Sequence, residues 1–300
     1  MHDILEKEAQ RGLATAWKDW ISVIKPRIMT SNLFCAFAGY CLASRWEFDL
    51  SVLAFMLVGT ALILAAASMA NNILDRFRDV HMERTRNRPL PGGRLNPRIV
   101  AAAATAAGLI GFVTLYVFVN PLSVALGFVG IFVYVVIYTA WLKPTSTWST
   151  SIGGISGAMP PMIGYCGFSN ELNLGAWLLF LVLFLWQPPH FWALGILKKD
   201  EYRAAGYPLL PVVKGARRTK WQMLPYVAAL FPVTYLLYAH DCVGVAYLLT
   251  STALLGIWFL QCLSGLFTKD DRGWAKASFK FSLYYLTFSF LIIIVESAWR

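Results

Sequence analysis

Nine apolar runs, each close to the length of a bilayer-crossing helix, dominate this chain: residues 28–45, 51–74, 98–118, 121–141, 149–168, 173–193, 222–240, 243–267 and 277–296. About 20 such residues cross the hydrocarbon core of a membrane as a helix. Lipid cannot satisfy open backbone groups, so only helices or closed barrels span it, and runs of this length select helices. The expected fold is all-α, a polytopic membrane protein of nine transmembrane helices. Residues 1–27 form a cytoplasmic or interfacial N-terminal segment, and 28–300 a single membrane domain. Composition agrees, because only 14% of the 300 residues are charged, against about a quarter in soluble proteins. Gly153-Gly154, Pro160-Pro161 and Pro188-Pro189 interrupt two of the runs. The last pair predicts a kink, since proline donates no backbone hydrogen bond.

The net charge of +10 would suit nucleic acid if the basic residues formed one patch. They do not, and no nucleic-acid partner is expected. All but Arg45 and Arg300 of the 26 Lys and Arg fall before span 1 or after the even-numbered spans. That is the positive-inside pattern. It puts the N-terminus and the two long loops, about 75–97 and 194–221, in the cytoplasm of a multi-pass protein of the cell (inner) membrane. Asp3, Glu6 and Glu8 make the first 20 residues neither a cleavable signal nor a mitochondrial transit peptide. Residues 14–27 mix Trp17, Trp20, Ile21 and Ile24 with Lys18, Lys25 and Arg27, the pattern of an interfacial helix. Five scattered cysteines without C-x-x-C spacing read as small buried hydrophobes.

Chemistry concentrates where span 2 ends. Asn71, Asp75 and Asp79 are spaced i, i+4, i+8, so a helix presents all three on one face. Intramembrane acids are costly and mark function. Two carboxylates and an amide suit Mg²⁺ shared with a phosphate-bearing substrate, since Mg²⁺ takes only one or two protein carboxylates. A solvated helix end, with the acids paired to Arg76 and Arg78, is the plainer alternative. Downstream, Arg84 and Arg88 match the oxygens of an anion bridged by metal, and a diphosphate satisfies both halves. Span 6 ends at Trp186-Gln187-Pro188-Pro189-His190. This offers His190 as a ligand or an acid–base group, with His81 in reserve beside Asp79.

These residues resemble the UbiA superfamily of intramembrane prenyltransferases, a nine-helix bundle with two aspartate-rich cytoplasmic loops. Asn71, Asp75 and Asp79 match its N-x-x-x-D-x-x-x-D motif. Asn71-Asn72, M-E-R-T-x-x-R-P over Met82–Pro89, S-G-A-x-P-P over Ser156–Pro161 and the run Trp186–His190 are similar to its haem-farnesylating branch. The usual second D-x-x-x-D is missing. The resemblance implies Glu201, directly before Tyr202, as the further metal ligand, with Asp200 as second choice. It implies haem B and farnesyl diphosphate as substrates and Mg²⁺ as cofactor, with Asp75, Asp79 and His190 catalytic. Asn71, Asn72, Arg84, Arg88 and Lys143 are implied on the diphosphate, and aromatic faces around the farnesyl cation. His190 is left with two roles, ligand of haem iron or guide of the attacking water. Haem–copper oxidase assembly factors are implied as partners beside the lipid bilayer. The rival readings are a related enzyme with an aromatic acceptor and a secondary transporter. The transporter is disfavoured because the acids cluster at one membrane face and no inverted repeat is visible.

Overall fold

The computed structural model of the chain describes residues 16–299, and every regular element in that range is helical. Helix α1 covers 16–23. Then follow α2 (Pro26–Ser44), α3 (Leu50–Asp79), α4 (Pro97–Phe118) and α5 (Pro121–Phe132). α5 runs directly into a π-helix (Val133–Leu142) and the single turn α6 (Lys143–Thr145). The remainder is α7 (Ser149–Gly157), α8 (Met159–Ser169), α9 (Leu174–Leu197), α10 (Lys199–Ala204), α11 (Leu210–Val213), α12 (Gly215–Ala239), α13 (Val245–Ser264) and α14 (Asp271–Ser297). Lys7, Arg11 and Arg300, counted above in the charge pattern, lie outside the described residues, as do the acids Asp3, Glu6 and Glu8.

Local chemistry sets the helix starts. Asp49 accepts hydrogen bonds from the Ser51 and Val52 amides at 2.9 and 3.0 Å. Asn96 and Asn120 cap helices whose first residues are Pro97 and Pro121, while Asn173 and Asp270 cap α9 and α14. A side-chain oxygen satisfying an orphan amide, followed by a proline that lacks one, is a favoured way to begin a helix.

Among the described residues, seven helical stretches are long and apolar enough to cross a membrane: α3, α4, the continuous stretch Pro121–Thr145, α9, α12, α13 and α14. The other two expected spans differ in form. Run 28–45 is the 19-residue α2, lowered in hydropathy by Thr30, Ser31 and Asn32. Run 149–168 is two helices, α7 and α8, meeting at Ala158 with Pro160-Pro161 in the first turn of α8. Within the expected interfacial helix 14–27, residues 16–23 form α1 and Pro26 and Arg27 already belong to α2, the two parted at Lys25 with its left-handed φ of 55°; residues 14 and 15 lie outside the described residues. α9 continues through Pro188-Pro189, where Gln187 Nε2 donates to the Leu183 and Gly154 carbonyls and ties α9 to α7. On α4, Leu109, Ile110, Val113, Tyr116 and Val117 are all exposed, as expected of a lipid-facing surface.

α9 is the hub, touching α7, α8, α12 and α14, while α3 lies along α4 and α2 along α8. The α2–α8 crossing depends on small residues. A Cβ on Gly39 would fall 2.0 Å from the Pro161 carbonyl oxygen, and one on Gly164 would fall 1.8 Å from that of Ala36. Close backbone approach through glycine is how membrane helices gain packing without a hydrophobic drive. Gly164→Ala should therefore cost about 1–3 kcal/mol by overpacking and lower the melting temperature in detergent by roughly 3–10 °C. Gly256→Ala, which meets nothing within 4 Å, should not lower it. Equal melting temperatures for the two variants would disprove the close crossing.

Candidate active site

The i, i+4, i+8 residues at the end of α3 lie together in the interior. Asn71, Asp75 and Asp79 are each only 2–3% exposed. Asp75 Oδ2 accepts from Lys143 Nζ at 2.5 Å and from Asn71 Nδ2 at 2.9 Å, and Oδ1 accepts from the Tyr207 hydroxyl at 2.9 Å. Asp79 Oδ2 accepts from Arg88 at 2.9 Å, and its carbonyl accepts from Thr85 at 3.0 Å. Asn71 Oδ1 accepts from Lys25 Nζ, while its Nδ2 also reaches Thr139 Oγ1 at 3.0 Å. The π-helix contributes directly. Thr139 Oγ1 donates to the Tyr134 carbonyl five residues back at 2.7 Å, and Lys143 follows at the end of the same segment. π-turns inside α-helices are concentrated at functional sites.

Other expected residues lie farther out. Arg84 is exposed at the rim, where its charge reaches Tyr138 and Tyr202. Asn72 is buried but faces α1, donating to the Val23 carbonyl at 2.8 Å. His81 is exposed. In α10 the neighbours Asp200 and Glu201 separate. Asp200 has a 91% exposed side chain paired with Arg203, whereas Glu201 is largely covered and paired with Lys198.

Lys25 and Tyr207 are missing from the sequence-based set. Lys25 sits in a left-handed conformation, which costs a residue with a Cβ about 1–2 kcal/mol, and its ammonium is delivered into the nest. Burial first, then the neighbouring charges of Arg88 and Lys143, pull its pKa down to about 7, against a smaller opposite pull from Asp75 and Asp79. Tyr207 follows Gly206, whose φ of +72° favours glycine. Burial and the Asp75 carboxylate raise its pKa, so the phenol keeps its proton and donates. No local pattern marks either residue, since each is defined by a partner 46 or 132 positions away.

Two carboxylates thus contact Lys25, Lys143 and Arg88 directly or through Asn71, with Arg84 and Arg78 nearby. The nest has more cations than anions, which suits a polyanionic ligand. The donor chemistry also suits Mg²⁺. Asp75, Asp79 and Glu201 offer hard oxygens, and Glu201 Oε2 is buried without a hydrogen-bond partner. Among the described residues no three His, Cys, Asp or Glu side chains form a cage. A cation held here completes its shell from substrate and water, as Mg²⁺ ordinarily does.

Residues 32–284 match the UbiA prenyltransferase family. The chain belongs to this family. Protoheme IX farnesyltransferase 1 of Bacillus subtilis is 42% identical over 289 residues, covering 93% of this chain and 90% of that protein. Protoheme IX farnesyltransferase of Gloeobacter violaceus is 38% identical over 301 residues, covering 99% and 98%. Three solved structures share the UbiA fold. One comes from a study of digeranylgeranylglyceryl phosphate synthase, with a TM-score of 0.80 at 17% identity over 95% of this chain and 99% of that one. The apo UbiA homolog from Aeropyrum pernix K1 gives 0.71 at 22% identity, covering 89% and 98%. The Archaeoglobus fulgidus UbiA homolog bound to GPP and Mg²⁺ gives 0.63 at 13% identity, covering 92% and 99%. The chain is a prenyltransferase-family, multi-pass membrane protein.

His190, the other residue singled out in the sequence, lies between α9 and α14. The His190 ring is buried, stacked on Trp186 at 4.4 Å and on Phe279 at 4.6 Å. Its Nδ1 lies 2.7 Å from Ser282 Oγ. That hydroxyl spends its one proton on the Phe279 carbonyl, also at 2.7 Å. Ser282 must then accept from Nδ1–H, which leaves Nε2 with its lone pair. Nε2 makes no hydrogen bond and is not among the atoms sealed from solvent. An imidazole held this way keeps on Nε2 the lone pair that a metal ligand or a base requires.

Lys25 gives the sharpest test of the nest. Lys25→Met should raise KM for a prenyl diphosphate about tenfold or more, the effect of one lost charge-assisted hydrogen bond. An unchanged KM would remove Lys25 from the site.

Proposed function

We propose that this protein transfers the farnesyl group of farnesyl diphosphate to a vinyl group of haem B, with water added, giving haem O and diphosphate. The near-full-length identity of about 40% to proteins named protoheme IX farnesyltransferase carries this reading. The buried nest supports it, because two carboxylates among excess cations suit departure of a diphosphate. Haem is substrate here, since no electron is transferred.

Asp75 and Asp79, with Glu201 as the further acid, would hold Mg²⁺; the exposed Asp200 is the weaker choice. When bound, Mg²⁺ neutralises charge developing on the leaving diphosphate. Asn71, Lys25, Lys143 and Arg88 line the diphosphate side, and Arg84 meets it at the rim. Asn72 acts at one remove, fixing the approach of α1. Departure of diphosphate leaves an allylic cation. Tyr134 and Tyr138, stacked 5.7 Å apart on the π-helix, are placed to shield it, as aromatic faces attract cations. The haem vinyl attacks the farnesyl carbon, and water captures the resulting cation as a hydroxyethyl group while losing a proton. His190 Nε2 is the base or iron ligand on that side. The charge pattern supports an inner-membrane location with the N-terminus and both site loops in the cytoplasm. Haem–copper oxidases consume haem O, so their assembly factors are the expected partners.

The first test is a product assay in lipid with haem B, farnesyl diphosphate and Mg²⁺, read by mass spectrometry. We expect a haem heavier by farnesyl plus water, lost with EDTA and reduced by more than about 100-fold in Asp75→Asn. Prenylation of 4-hydroxybenzoate in place of haem would keep the nest and discard the acceptor. Neither product would discard transfer altogether. Ser282→Ala, which frees the Nδ1 proton, should lower haem turnover with farnesyl diphosphate KM unchanged. If only that KM moved, His190 would belong to the diphosphate side.

A further inference from the structure

Arg272, Lys276 and Lys280 stand four residues apart along the first turns of α14, so one helix face presents all three. All are exposed, and none has a carboxylate partner among the described residues. With Lys198 at the end of α9 they line a cavity of about 610 Å³ whose apolar wall is Leu197 and Phe279. The nearby acids already have partners, although Asp270 itself lines the cavity and Glu201 is held by one of the cavity's own lysines. Asp270 accepts the Gly273 amide as the helix cap, Asp271 pairs with the buried Lys220, and Glu201 pairs with Lys198.

This stripe is unfavourable by local rules. Like charges at i, i+4 repel, and cations sit badly at the positive end of a helix dipole. A positive-inside bias needs basic residues on this side of the membrane but not on one face around a cavity. Such a wall fits a ligand with an apolar body and a dianionic edge. Phe279 gives the direction, because it both lines the cavity and stacks on His190. Along α9, His190 and Leu197 are seven residues apart, about 10 Å of helix. That is close to the reach from the centre of a porphyrin to its carboxylates.

We propose that Arg272, Lys276 and Lys280, with Lys198, bind the two propionate carboxylates of the haem acceptor, the ring extending along Phe279 towards His190 Nε2. This rests on the haem reading above. The vinyl groups lie on the porphyrin edge opposite the propionates, so anchoring the carboxylates leaves the reacting edge free.

The test uses purified full-length protein in lipid and compares haem B with its dimethyl ester, which lacks both charges. Wild type should bind and farnesylate haem B about tenfold better than the ester, as two partly exposed ion pairs supply. Arg272→Ala with Lys276→Ala should abolish that preference with KM for farnesyl diphosphate unchanged. Arg272→Lys with Lys276→Arg should restore it. A double alanine variant that keeps the preference would overturn the proposal. So would an effect that vanishes when anionic phospholipid is replaced by phosphatidylcholine, which would make the stripe a headgroup site. If wild type makes no farnesylated haem, the haem reading itself fails. If wild type makes it but ignores esterification, only the propionate site fails.

Discussion

Two carboxylates buried at the end of α3 need compensation, and the way they find it organises the donor half of the molecule. A buried ion that loses its partner is strongly destabilising, whereas a complete set is close to neutral. Asp75 and Asp79 draw on four separate segments: Lys25 before α2 by way of Asn71, Arg88 in the first loop, Lys143 after the π-helix and Tyr207 in the second loop. None of these is near another in the chain. Satisfying the acids therefore brings the two long loops and the α5–π-helix unit to one place.

The nest is not built for maximum stability. Cations outnumber acids, Lys25 has a lowered pKa, and its backbone is left-handed without being glycine. Backbone outliers of this kind collect at functional sites. An anion entering such a nest would relieve the repulsion among Lys25, Lys143 and Arg88, which is what the proposed diphosphate site needs.

Much of this was legible in the sequence. Asx caps before proline mark the helix starts at 96–97 and 120–121, and the i, i+4, i+8 spacing marks the acidic face. In run 149–168 the glycines and Pro160-Pro161 announced an interruption, but not that it would fall at Ala158 and leave two separate helices. Lys25 and Tyr207 left no trace, since their roles depend on contacts 46 and 132 residues away. Asp200 and Glu201 differ only in helical phase on a six-residue helix, so their ranking came from the family resemblance and not from any spacing. Asn72 was readable as buried but not as turned away, since adjacent helical residues point about 100° apart.

The two sites share a logic that neither shows alone. The C-terminal end of α3 is the negative pole of its helix and carries Asp75 and Asp79; the N-terminal end of α14 is the positive pole and carries Arg272 and Lys276. Both sets oppose the dipole. Each helix also carries residues that obey it: Arg76 and Arg78 on α3, Asp270 and Asp271 on α14. Arg76 donates back to the Ile73 carbonyl, Asp270 caps its helix and Asp271 pairs with Lys220. The residues that obey the local rule hold the helix ends and stand among those that break it, Arg78 over the Tyr207 ring beside the nest and Asp270 on the wall of the cavity. A sequence selected for folding alone would keep only the first group. On the two binding sites proposed above, the second group marks where this protein gives up stability for ligands, a diphosphate at the end of α3 and a dicarboxylate at the start of α14.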